Sequence, residues 1–342
     1  MAGQDAVTGL RAARAARDEA VVDAPGLGSA AHVRVAAANA TAESSARAPG
    51  AKPAGDALAA QSRTTASMAT HIDKAGIADI VWSLPWFAQF SARGLRWQQA
   101  ALKSYAALLA EMNADAQQSQ QTTGRGQRLA FIAQDDLPPG AAYEAHIALS
   151  GCVPTRHNLH DFFNAAIWFA FPRIKAALNA CQSAAIDVLG VGPTRGGVRD
   201  ALTLFDENAL LFACADPELS HALRGFDWSR LFVANRAAWG ERCEVRCFGH
   251  ALLEKLISPY KACTGHTWIV DVPTEYFSWP TAARDAWLDV AVSRELSSTQ
   301  DLTTRVFAPL PVLGIPGWWP ANEAASFYDD PAVFRTGRRQ GC

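Results

Sequence analysis

The chain has 342 residues, 49% of them hydrophobic, and its 31 basic and 33 acidic side chains nearly cancel. That length builds one large or two medium domains, and a balanced charge without a basic stripe between aromatics excludes nucleic acid as an expected partner. No run approaches about eighteen apolar residues, so no membrane span is expected, and the seven scattered cysteines, with no CxxC pair, are expected as free thiols of a reducing, cytoplasmic compartment.

Residues 1–71 are rich in Ala, with Gly, Ser, Thr and Arg, and contain no Trp, Phe or Tyr. Such a segment cannot bury enough apolar surface to offset its ordering entropy, so a disordered head is predicted. The alternative is one or two loose helices around LRAARAARDEAV. The residues after Met1 carry no apolar stretch, so no secretory leader is expected, and Asp5, Asp18 and Glu19 argue against an organellar one.

A globular domain is predicted over 72–336, with a flexible tail over 337–342. IADIVWSLPWFAQF concentrates Ile80, Val81, Trp82, Leu84, Trp86 and Phe87, a density that must be buried. GLRWQQAALKSYAALLAEMNADA, residues 94–116, has helical spacing, with Trp97, Ala101, Tyr105, Leu108 and Met112 on one side. Residues 117–127 read as a polar loop, LAFIA as a short strand, and 141–151 as a short helix. Asn158 with Asp161 three residues on resembles a capping box opening a helix to about Ala170. Pro172 opens a second helix, and GVGPTRGG, residues 190–197, is a loop. ALTLFDENALLFAC, residues 201–214, reads as a β-hairpin around Asp206, Glu207 and Asn208. Short helices follow at DPELSHALRG, DWSRLFVANRAAWG and HALLEKLISP. CEVRCF and TWIVDVP are strand candidates, and residues 279–296 form an amphipathic helix. The Pro-rich but apolar VFAPLPVLGIPGWWP is expected to wrap over the core in extended form. Helix dominates without regular strand–helix alternation, so the predicted class is α+β: a predominantly helical single domain with a β-hairpin and a few short strands.

Four stretches in this order, VPTRHNLHDFFNAAIWFAFPRIKAALNA, RDALTLFDENALLF, FGHALLEKLISPYKACTGH and PLPVLGIPGWWPANE, resemble a bacterial family known as domain of unknown function 3025. The resemblance spans roughly residues 75–335. It implies a cytoplasmic bacterial protein and carries no activity, cofactor or catalytic residue, so the chemistry rests on the side chains.

At about 100° per residue, His157, His160, Asp161, Asn164 and Trp168 share one arc, with Leu159, Phe162, Phe163, Ala166 and Ile167 opposite. The polar arc has no Lys or Glu, which a solvated face carries. Imidazole and carboxylate are good donors to a divalent metal. The structural alternative is a helix start in which Asp161 serves the N-terminus while His160 and Asn164 make buried hydrogen bonds. His250 and Glu254 are four apart on a predicted helix and share its face. His266 follows a turn nearby. The candidate ligands are therefore His160, Asp161, His250 and Glu254, with His157, Asn164, Asp200 and His266 around them. Asp206, Glu207 and Asn208 are assigned to the hairpin turn instead. GVGPTRGG lacks the order and the Lys-Ser/Thr ending of a phosphate loop, and GxSxG and GxGxxG are absent. Two functional readings stay open: a metal-assisted hydrolase using a His/Asp/Glu pocket, or a non-catalytic ligand-binding or scaffold protein whose cluster is structural.

Overall fold

The computed structural model of the chain describes residues 76–189, 196–299 and 301–337. The Ala-rich head, residues 72–75, most of the 190–197 loop and the tail beyond 337 lie outside the described residues.

The described residues open with aromatic turns and two helices, α1 (Ser91–Lys103) and α2 (Tyr105–Ser119). The single helix expected over 94–116 is thus broken. Ser104 takes extended dihedrals and its hydroxyl accepts from Ala107 N, so it caps α2. Strand β1 (Ala130–Ala133), helix α3 (Tyr143–Ser150) and strand β2 (Cys152–Thr155) follow, the strands pairing in parallel. β2 was not foreseen, because CVPT contains a proline and has only four residues.

The centre is built by α4 (Leu159–Ala170), α5 (Pro172–Leu189), α6 (Gly196–Asn208), β3 (Ala209–Cys214), α7 (Pro217–Arg224), β4 (Cys243–Cys247), α8 (His250–Lys255), β5 (Thr264–Asp271), α9 (Thr281–Ser298) and β6 (Ala308–Pro311). The four strands form one sheet in the order β4-β3-β5-β6, with β3 parallel to β5 and antiparallel to β4. All six residues of β3, ALLFAC, are buried, as expected of a strand covered on both faces. α6 packs on the sheet, α5 packs on α9, α3 and α6, and α8 lies on α4 and α6.

The α+β class is thus the one found, but the hairpin over 201–214 is not. Ala201, Leu202 and Phe205 are buried at helical spacing on α6, and Asp206, Glu207 and Asn208 are its last turn, not a hairpin turn. The antiparallel partner of β3 comes from β4, some thirty residues on. The C-terminal segment wraps the core as expected: Phe307, Leu310, Val312, Leu313 and Ile315 are buried, and 308–311 form the edge strand β6. Buried Asn322 pins the next turn by donating to the carbonyls of Leu313 and Ile315. Among the described residues, no helix is long and apolar enough to cross a membrane.

Candidate metal centre

Three chain segments meet at one cleft, and each is held there by local structure. The first is the start of α4. Asn158 caps it, its Oδ1 accepting from Asp161 N at 2.9 Å. The Asp161 carboxylate does not close a reciprocal box with Asn158. It accepts from Arg156, from the backbone N at 2.6 Å and from Nε and Nη2 at 2.9 Å each. This leaves His160, in the first turn and partly exposed, facing the cleft on a helix whose other residues up to Phe169 are buried.

The second segment is the last turn of α6, which delivers Asp206 and Glu207. The third is the start of α8. Gly249 precedes it, and its backbone N donates to Ala209 O at 2.8 Å. A Cβ at residue 249 would lie 2.5 Å from Ala209 N and 2.6 Å from Asn208 C, so only glycine lets the start of α8 come this close to the end of α6. Lys255 Nζ ties the far end of α8 to Asn208 Oδ1 at 2.8 Å. His250 is thereby set against Asp206 and Glu207, and Glu254, one turn on, faces His160.

The two imidazoles meet through Nε2 atoms 3.0 Å apart, with their rings edge to face. Glu207 Oε2 lies 3.6 Å from His250 Nε2. His160, Glu207 and His250 thus offer three donor atoms all within 4.8 Å of one another. Behind each imidazole stands a carboxylate. Glu254 Oε2 is 3.1 Å from His160 Nδ1, and Asp206 Oδ1 is 3.7 Å from His250 Nδ1. The hydrogen bond to Glu254 holds the His160 imidazole above its ordinary pKa, against burial.

The surrounding cleft has a volume of about 380 Å³. Its lining is polar: Gln134, Tyr143, Glu144, Arg156, Asp161, Asn164, Asp206, Glu207 and the two histidines. Buried Lys175 closes the floor, donating to Asp206 Oδ1 at 2.7 Å and Asn164 Oδ1 at 2.9 Å. Burial alone would push the Asp206 carboxyl up, but the Lys175 ammonium and His250 bring it well below the usual carboxylate range. Glu144 runs the other way. Burial, reinforced by the nearby Asp206, raises its carboxyl, although Asn179 Nδ2 donates to it at 2.7 Å. Four carboxylates in the lining (Glu144, Asp161, Asp206, Glu207), with Glu254 behind His160, face two fixed cations, Arg156 and Lys175. That imbalance favours a cation in the cleft.

Of the residues proposed from sequence, His160, Asp161, Asn164, His250 and Glu254 come together here. Asp161 lines the cleft but its oxygens are engaged by Arg156, and Glu254 contacts His160 from behind. His157 lies just outside α4, exposed, its ring stacked on Tyr105 at 5.7 Å. Asp200 is exposed on α6. It is six residues from Asp206, and a helix turns the two about 240° apart. His266 sits on β5 opposite Ala209 and Pro309, away from the lining residues, with burial and Lys255 depressing its imidazole. The residue missed was Glu207, along with Asp206 and Lys175. The helical spacing of Ala201, Leu202 and Phe205 was the available signal, and the turn-like DEN masked it.

Residues 129–338 match the family described as Protein of unknown function (DUF3025). The chain belongs to this family. The matched region contains every residue of the cleft, and the helices α1 and α2 precede it. No curated protein and no solved structure matches the chain.

Proposed function

We propose that the cleft is the centre of a metal-assisted hydrolase, with His160 Nε2, His250 Nε2 and the Glu207 carboxylate as the ligands of one divalent ion. The observation that carries this reading is the paired orientation of the imidazoles: each turns Nδ1 toward a carboxylate and Nε2 toward the other and toward Glu207. Ligand nitrogens on one tetrahedral zinc stand about 3.3 Å apart at Zn–N distances of about 2.0–2.1 Å. The separations of 3.0 and 3.6 Å bracket that value. Two histidines and one carboxylate leave a coordination position open, and a bound divalent ion would lower the pKa of a water there toward neutrality. The ligand set assigned from sequence is revised in one respect: Glu207 takes the place of Asp161 and Glu254.

The rival reading, a structural histidine pair in a non-catalytic protein, draws on the same 3.0 Å, which is also a hydrogen-bond length. In that reading His160, which Glu254 favours in its protonated form, would donate from Nδ1 to Glu254 and from Nε2 to His250 Nε2. A neutral His250 would then keep its own proton on Nδ1, on the side of Asp206. A metal ion would take the place of the proton between the two Nε2 atoms, with both imidazoles keeping Nδ1–H toward their carboxylates.

The lining has no aliphatic side chain, so the substrate class is small and polar. Free thiols at all six described cysteines agree with a reducing, cytoplasmic setting. The test is turnover of chromogenic esters, phosphate esters and amides by protein loaded with zinc, manganese or ferrous ion. Turnover that depends on the metal and falls at least about a hundredfold in Glu207→Gln is expected. Metal-replete protein inert on the whole panel contradicts the hydrolase assignment.

A further inference from the structure

Lys175 is an unusual residue to find inside this molecule. Its side chain is only 4% exposed, on a helix buried between α3, α6 and α9. Its ammonium donates to Asp206 Oδ1 at 2.7 Å and Asn164 Oδ1 at 2.9 Å and lies 5.4 Å from the centroid of the Trp168 ring. Asn164 is oriented in turn, its Nδ2 donating to Tyr143 Oη at 3.1 Å, so that its oxygen must face the ammonium. A buried ion pair of this kind contributes little net stability over an apolar pair of the same volume, because desolvating both charges offsets their attraction. Folding therefore gives no reason for the pair, but position does. The carboxylate that Lys175 grips is the one behind His250.

We infer that Lys175 is a positioning residue for the metal centre: it fixes the Asp206 carboxylate beside the buried, otherwise unpartnered His250 Nδ1, whose proton that negative charge favours, which leaves His250 Nε2 bare toward His160 and Glu207. This rests on the metal reading above and extends it to a third layer of side chains. The ammonium neutralises Asp206, holds its Oδ1 2.7 Å away, and so sets that oxygen 3.7 Å from His250 Nδ1. Glu254 does the same for His160 from the solvent side, at 3.1 Å, without any cation behind it. The two supports differ because Glu254 is partly exposed and hydrated, whereas Asp206 is buried and requires a counter-charge within the protein.

The test uses the double variant Lys175→Met/Asp206→Leu, which replaces the pair by apolar groups and is expected to fold. The single variant Asp206→Asn keeps an acceptor but loses the charge. Zinc affinity is read by competition with a chromophoric chelator. The His250 tautomer is read from side-chain ¹⁵N shifts of the metal-free protein. The expected result is a loss of zinc affinity of roughly 10- to 100-fold in the double variant, a smaller loss in Asp206→Asn, and migration of the His250 proton from Nδ1 to Nε2 in the double variant. A folded double variant with parental affinity and an unmoved His250 signature overturns the inference, since a merely structural pair would shift neither readout. If the double variant does not fold, Asp206→Asn decides by the same two readouts. Parental protein that binds no zinc sinks the metal reading itself, and the metal-free ¹⁵N shifts then decide the tautomer claim alone.

Discussion

At the scale of single residues, the cleft is a set of charges held by unequal means. Arg156 and Asp161 pair at the mouth, where the Arg156 side chain is 55% exposed and water screens the interaction. Lys175 and Asp206 pair in the floor, with both side chains below 10% exposure. Removing one partner of a buried pair leaves an uncompensated charge, so Lys175→Met alone is expected to lower unfolding stability by about 3–5 kcal/mol. Chemical denaturation measures this, and a loss below about 1 kcal/mol would mean that water reaches Asp206. Some of this was legible in the sequence. His160, Asp161 and Asn164 stand out because their arc lacks the Lys and Glu of a solvated face, and His250 and Glu254 because they are four apart on one helix face. Lys175 was hidden for the converse reason: in RIKAALNA it reads as one more solvated helix lysine, and only the packing of α5 against four other helices shows that it has nowhere to go.

At the scale of elements, the site depends on one junction, where α6 runs straight into β3 and α8 begins against it. Phe248 N and Gly249 N both donate to Ala209 O, at 3.1 and 2.8 Å. Gly249→Ala would press a methyl group into the backbone of Asn208 and Ala209, which cannot yield as a flexible side chain would. The expected cost is about 1–3 kcal/mol, together with a displaced His250 and weaker metal binding. Thermal unfolding beside metal content checks both, and a variant as stable and as metal-replete as the parent would show that the junction opens freely. This junction explains why part of the site escaped the sequence reading. Asp-Glu-Asn between two apolar runs satisfies the chemistry of a hairpin turn as well as that of a helix end. The choice was made by β4, which pairs with β3 from residues 243–247 and leaves 201–208 free to stay helical. Elements whose signals are local, such as the Asn158 cap, the Pro172 start and α9, came out as expected.

At the scale of the whole molecule, the helices that carry the site are braced from outside it. Asp289, in the middle of α9, is buried and accepts from Arg173 N at 3.1 Å and Ile174 N at 2.9 Å, the first free amides of α5. Burial pushes its carboxyl up to about 6, although the two amides oppose the shift. The folded state therefore holds this proton more tightly than the unfolded chain, whose value is the ordinary 3.8. The contribution to stability is full below about pH 4 and is lost as pH rises through about 6, by on the order of 2–3 kcal/mol. The difference in unfolding free energy between the parent and Asp289→Asn is expected to change by that amount between pH 4 and pH 7. A difference independent of pH would mean that Asp289 is ionised throughout. The same bracing places α5, and with it Lys175, under a cleft whose excess of carboxylates the proposed divalent ion would balance. The most direct measurement is therefore elemental analysis of untagged protein, beside Glu207→Gln and His250→Ala. The account predicts close to one equivalent of a divalent transition metal in the parent and its loss from both variants while they remain folded. Parental protein that stays metal-free after reconstitution, or variants that keep the ion, would contradict it.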